Sequence, residues 1–129
     1  MTVLTKAPSL GDLLKFELNA SYCREMVTLK AGTSYPLGAV LGKITASGKY
    51  RLSPAATVTG DEGAETAVAV LLEAADATSA DKIGLIAARG PIILSKAALV
   101  FDASVDQPAE KAAKHAQLAT LGLVARDTA

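Results

Sequence analysis

The sequence predicts a mainly β domain with one C-terminal helix, an α+β fold class, preceded by an extended N-terminal arm. Three observations predict it. From Arg24 onward, short β-branched and apolar runs alternate with Gly, Pro and Ser at turn spacing. Good helix formers are concentrated in one stretch after Pro108. The chain has 129 residues, enough for one core and too few for two. The expected division is an arm over residues 1–20, ordered when bound, and a single β-rich domain over residues 21–129.

The arm reads differently from the rest. Leu10, Leu13, Leu14, Phe16 and Leu18 fit neither helical nor strand spacing for a useful length, and Pro8 and Gly11 interrupt them. An arm that orders against a partner and a short edge strand from Leu14 to Leu18 both remain open. Beyond it, Met26 to Leu29 is a strand, and Tyr35-Pro36-Leu37-Gly38 is a turn with Pro early and Gly late. Ala39 to Thr45 is the next strand, where Gly42 marks a bulge or a close backbone approach. Ser47-Gly48 turns the chain into Lys49 to Leu52, which Pro54 ends, and Gly60-Asp61-Glu62-Gly63 reads as an exposed acidic turn. Thr66 to Leu72, the most apolar run, is the candidate central strand. Glu73 to Asp81 reads as a loop, Lys82 to Ala88 and Ile92 to Leu94 as strands, and Ala97 to Phe101 as a strand or one helical turn. The helix opens at Asp106-Gln107-Pro108, where a capping residue, a first-turn proline and Glu110 suit a helix start. His115 is expected to face solvent among Lys111, Lys114 and Gln117. Gly122 stops the helix, and Leu123 to Arg126 forms a last strand.

Composition narrows the function. Half the residues are apolar, but with three Tyr, two Phe and no Trp the core leans on alanine, about a fifth of the chain. Alanine buries little area, so the core is thin or completed by other chains. Thirteen basic and thirteen acidic residues cancel, which is unlike the basic excess of a nucleic-acid binder. No run approaches transmembrane length, so no membrane partner is expected. Met1 to Leu10 has one Lys and no apolar block of signal-peptide size. One Cys excludes an intramolecular disulfide, and one His excludes a multi-histidine metal centre within the chain. Synthesis in a reducing cytosol is expected.

Fragments with catalytic overtones fail on spacing. Gly38 to Ile44 has three residues between its glycines where a phosphate loop has four, and Ile44 where Ser or Thr would bind magnesium. Ser79-Ala80-Asp81-Lys82 has the S-x-x-K spacing of penicillin-recognising enzymes without their companion motifs. Cys23 and His115 are single occurrences, and a lone Cys reads as a buried hydrophobe. Asp61, Glu62 and Glu65 lack the alternating ligands of a calcium loop. The expectation is a binding or structural protein: no enzyme, no cofactor, no metal.

The order of features in the second half carries a resemblance. Ala67 to Leu72, the loop Ala75-Asp76-Ala77-Thr78-Ser79, the strand Lys82 to Ala88, the turn Arg89-Gly90-Pro91, the Lys-bearing helix Glu110 to Leu121 and the final Gly122-Leu123-Val124 come one after another. With Leu37 to Thr45 and Gly48-Lys49-Tyr50 upstream, this order resembles the head decoration proteins of tailed bacteriophages, the family of the lambda phage decoration protein. The resemblance covers roughly Leu29 to Arg126, and the first twenty residues depart from the family pattern.

The resemblance implies a β-clip-like domain forming homotrimers. These would bind the outside of an expanded phage head at local three-fold sites and clamp the major capsid protein, which places the protein on the virion surface. The apolar arm residues Val3, Leu4, Leu10, Leu13, Leu14 and Phe16 are the expected capsid contacts, by strand addition to a sheet edge on the shell. A biotinyl- or lipoyl-type carrier, suggested by Val27 to Gly32 followed by Gly38 to Gly42, is one rival; it would need a modifiable Lys at a hairpin tip beside a Met. A small enzyme of the β-clip group, or another oligomeric binding module, is the other.

Overall fold

The computed structural model of the chain describes residues 10–127. In chain order the elements are α1 (Leu10–Leu13), β1 (Leu14–Glu17), α2 (Ala20–Cys23), β2 (Arg24–Leu29), β3 (Ser34–Tyr35), β4 (Val40–Lys43), β5 (Tyr50–Leu52), β6 (Ala67–Leu71), β7 (Ala75–Asp76), β8 (Lys82–Ala87), β9 (Ile92–Ser95), a 3-10 turn (Lys96–Ala98), α3 (Pro108–Ala119) and β10 (Leu123–Arg126). The fold is mainly β with one long C-terminal helix, as the sequence predicts.

Five strands close into a barrel in the order β2-β5-β4-β6-β8, and a separate three-stranded sheet runs β1-β9-β10. Alternation along the barrel wall assigns each side chain to one of two cores. Leu29, Leu41, Ala69, Leu71 and Ile86 pack with Tyr35, Ala39 and Ala77 in one cluster. Their chain neighbours Val40, Val70, Leu72 and Ala87 pack in the other, with Leu13, Cys23, Ile92, Leu94, Leu118 and Leu123 from the second sheet and the helices. Along β6 the wall is therefore covered on both faces, which is why Ala67 to Leu72 reads as an unbroken apolar run.

Close approach explains two glycine positions. A Cβ on Gly42 would lie 1.9 Å from the Ala64 carbonyl oxygen, and the β4–β6 register shifts between Leu41 and Gly42. Both halves of the expectation for this residue, bulge and close approach, hold. A Cβ on Gly90 would meet the Gly122 oxygen at 2.0 Å, so the turn before β9 lies directly against the turn before β10.

Local structure departs from expectation where elements are too short to have a period. Residues 73–81 contain β7, which pairs with β3 through Ser34↔Asp76 and Tyr35↔Ala75. The one-turn helix α2 comes after Asn19, whose side chain accepts from the Ser21 and Tyr22 amides at 2.9 and 3.2 Å. At 97–101 the turn is the outcome, 3-10 over Lys96–Ala98, with a lone parallel bridge from Val100 to Ala39.

Helix α3 starts as expected, with Pro108 in its first turn and the Glu110 carboxylate accepting from the Gln107 and Asp106 amides at 3.1 and 3.3 Å. Its orientation corrects the sequence reading, because Lys114 is 2% exposed. Its ammonium donates to Ser53 Oγ at 2.9 Å, Pro54 O at 2.7 Å and Glu65 O at 2.5 Å. Those acceptors use all three protons of an ammonium. Burial holds Lys114 below the usual lysine range, with Glu65, Asp102 and Glu110 acting the other way. One turn on, Gln117 Oε1 accepts from the Ala67 amide at 2.8 Å, joining the helix to β6. Leu118, four residues after Lys114, is fully buried on the same side. Replacing Lys114 with Met keeps the stem and leaves the Pro54 and Glu65 carbonyls without their donor. The expected cost is about 2–4 kcal/mol of unfolding free energy, read by urea denaturation.

Candidate functional site

Val3 and Leu4 lie outside the described residues, so the expected capsid contacts are placed from Leu10 on. Leu13 is fully buried in this chain's own core, and Leu10 and Leu14 are half-buried against the same cluster. Residues 10–17 are thus built into the domain, as α1 and an edge strand. Strand β1 runs antiparallel to β9, with Leu14↔Leu94 and Phe16↔Ile93, and has no strand on its other side among the described residues. Phe16 is 46% exposed and Leu18, just past the strand, 62%. A two-pronged pair fixes this edge: Arg24 Nε and Nη2 donate to Glu17 at 2.8 and 2.9 Å. The result is a strand edge with no strand paired on one side among the described residues and two apolar side chains in solvent. Leu18 was missing from the sequence-based contacts; the register shift between Leu14 and Phe16 turns Phe16 outward while Leu14 packs on the core.

The acidic turn is a correction of a different kind. Asp61 is 6% exposed. Its carboxylate accepts from Lys30 Nζ at 2.8 and 3.0 Å and from Arg51 Nη1 at 2.8 Å. Arg51 also reaches Asp102 at 3.4 Å. Lys30 comes directly after β2 and Arg51 lies in β5, and these two strands share a single register pair, Leu29↔Tyr50. Asp61 therefore bridges the two barrel strands with the fewest backbone links. Tyr35 completes the cluster, donating its hydroxyl to Lys30 O at 2.7 Å, with burial pushing its pKa up to about 12. Together with Gly32 and Thr33, these residues line a hollow of ≈ 230 Å³. Its charges satisfy one another, which makes it a clamp. The Lys30 that suggested a carrier is held by Asp61 at the end of a barrel strand.

Other fragments also take structural roles. Gly42 of the apparent phosphate loop lies in strand β4 against Ala64. Cys23 is fully buried. His115 does not stand in solvent: it packs edge-on to Phe101 at 5.7 Å, with its Nε2 buried and unpartnered among the described residues. Burial, and then Lys96, hold it below the usual histidine range. Among the described residues no group of three His, Cys, Asp or Glu could hold a metal ion. No helix of the described residues is long and apolar enough to cross a membrane.

Lys30 and Arg51 hold the Asp61 carboxyl below its ordinary value of 3.8. A group that titrates lower when folded stabilises the fold above its unfolded pKa and loses that contribution as pH falls through the folded one. Asp61→Asn is expected to be less stable than the parent by about 1–3 kcal/mol at pH 7. The gap should narrow steadily as pH drops below ~4. Urea titrations at pH 7, 5, 4 and 3 measure it.

No curated protein matches the chain. A family model described as bacteriophage lambda head decoration protein D matches residues 3–123. That span takes in the barrel, the β1–β9 edge and helix α3, and the chain belongs to the family of the bacteriophage lambda head decoration protein D.

Proposed function

We propose that the chain is a structural component of a phage head. It binds the outside of the expanded shell as trimers of its β-clip-like domain, at local three-fold sites, and clamps neighbouring subunits of the major capsid protein. Family membership supports head decoration. The observation that carries the mode of binding is the edge of β1, a strand with no strand on one side among the described residues and with Phe16 and Leu18 exposed. An extended coat segment added there would gain main-chain hydrogen bonds along the edge and cover two apolar side chains. Residues 1–9, with Val3 and Leu4, precede this edge in the chain and extend the contact along the coat. A chain of zero net charge suits docking on a protein lattice better than on DNA.

The mechanical role rests on mass action. A ligand that binds only the assembled lattice stabilises it by about 2.7 kcal/mol per site at a hundredfold excess over its dissociation constant. Many sites per shell multiply that modest contribution. A trimer on a three-fold site presents the same contact to each subunit it bridges, so load from packaged, self-repelling DNA is shared symmetrically.

Two experiments test the reading. Deleting residues 2–9 spares Leu13, whereas a cut to residue 14 would remove a core side chain. The shorter deletion is expected to leave the melting temperature within a few degrees of the parent and to weaken capsid binding by about tenfold or more. Unchanged binding in a cosedimentation assay removes the arm from the contact. In the second, DNA-filled heads with and without saturating protein are heated and scored for DNA release. Decorated heads are expected to hold their DNA to a higher temperature; identical release curves leave a surface role without stabilisation.

A further inference from the structure

His115 is the sole histidine of the chain, and its ring sits at a joint between two elements. Helix α3 carries Lys111 and His115 one turn apart on the same side. Both reach the Phe101 ring: His115 meets it edge-on at 5.7 Å, and Lys111 Nζ stands 5.9 Å from its centroid. Phe101 packs against the core cluster that holds Leu13, Leu94 and Leu118. It follows Val100, whose amide donates to Gly38 O at 2.9 Å and whose carbonyl accepts from the Val40 amide at 2.8 Å. Asp102, next in the chain, reaches Arg51. The segment from Val100 to Asp102 is therefore held by the barrel on one side, and Phe101 gives it a ring contact with α3.

One polar atom in this joint is unsatisfied. His115 Nε2 is buried with no hydrogen-bond partner among the described residues. A neutral imidazole tolerates that, because Nε2 can be its bare nitrogen; in a charged one both nitrogens carry protons. A buried, charged N–H without an acceptor loses its hydration and finds no substitute. Neighbouring charges push the same way. Lys96 from the 3-10 turn and Lys111 from α3 are cations, and the opposing acid is Asp127, just past β10 and beside the exposed Arg126. Asp102 is committed to Arg51, and Glu110 to the Gln107 and Asp106 amides. Lys114, on the same helix, is turned to Ser53, Pro54 and Glu65. An imidazolium against a phenyl ring is attractive by itself, but Lys111 already occupies that ring, so the proton adds a second cation to it.

We propose that His115 is a proton-sensitive latch: the neutral ring holds Phe101 and the segment around it against α3, and the charged ring releases them. This goes beyond head decoration and does not depend on it. Burial, then Lys96, hold His115 below its ordinary value of 6.5, with Asp127 opposing. The folded chain thus takes up this proton less readily than the unfolded one. The contribution of the neutral ring is complete above pH 6.5 and is lost as pH falls through the folded value. Asp61 responds only in the carboxylate range, so the latch opens first on acidification. With one histidine in the chain, no other side chain ordinarily titrates in that window.

Three readouts on the full chain test the latch. The His115 ring shifts, followed by NMR against pH, are expected to have a midpoint below 6.5. Urea denaturation at pH 7.5, 6.5, 5.5 and 5 is expected to show the unfolding constant rising by about threefold or more on acidification. His115→Phe keeps a ring edge against Phe101 and takes no proton, and its constant is expected to stay level. Amide exchange, corrected for its intrinsic pH dependence, locates the opening. Val100 is expected to lose protection by about threefold or more between pH 7.5 and 5.5 in the parent and to keep it in His115→Phe. If His115→Phe fails to fold, Lys96→Gln at its exposed position serves instead, and is expected to raise the NMR midpoint and shrink the acid loss. A midpoint at or above 6.5 overturns the proposal. So does an acid loss that is absent, equal in parent and His115→Phe, or unaccompanied by exchange at Val100, and so does a Lys96→Gln midpoint that does not move.

Discussion

An ammonium group taken out of water must find an acceptor for each proton, and in this fold that requirement locks two layers together. Lys114 meets it with Ser53, Pro54 and Glu65, the segments that leave β5 and enter β6. Ser53 in turn donates to the Ala64 carbonyl at 2.7 Å, so the chain from 53 to 65 is tied at both ends to one side chain of α3. Holding α3 in place also holds the C-terminal strand. Gly122 ends the helix turn against Gly90, β10 lies parallel to β9, and β9 supports the β1 edge. The β1 edge is thus held in place through a polar contact made by α3. An alanine-rich core with few large side chains has little packing specificity of its own, and a directional ionic anchor supplies it.

Much of this architecture was legible because period and punctuation are local. The strands at 26–29, 82–88 and 92–94, the bulge at Gly42 and the helix start at Pro108 all rest on residues within one or two turns of each other. What stayed hidden depends on residues far apart. Asp61 looks like part of a solvated turn until Lys30 and Arg51 arrive from two other strands. Lys114 lies among Lys111, His115 and Gln117, all polar, and nothing in that spacing says which of them meets buried carbonyls. Two-residue strands such as β3 and β7 have no period to detect.

The exposed apolar surfaces were legible in part. Leu10, Leu13, Leu14 and Phe16 were recognised as an unusual apolar group, but a register shift between Leu14 and Phe16 separates the inward leucines from the outward Phe16, and no local period announces it. Met26 and Ile83 were invisible as surface residues, since apolar side chains in a strand are ordinarily inside. The β2–β8 register is what places them outside, and it is set by partners some sixty residues apart in the chain.

That separation also governs how the chain reaches its native state. Arg24 must find Ala87 before the barrel can close, and Leu14 must find Leu94 before the edge strand has a neighbour. Contacts close in sequence come mainly from α3 and the β4–β5 hairpin, with short ones such as α1–β1 and α2–β2. A topology dominated by distant pairings belongs to the slow class of small domains, folding in milliseconds to seconds, because loop closure comes before any contact can reward it. During that interval Met26, Ile83, Phe16 and Leu18 stand on unpaired strands together with the residues destined for the core. A phage that needs many copies of such a chain at once therefore depends on folding outrunning aggregation at high local concentration.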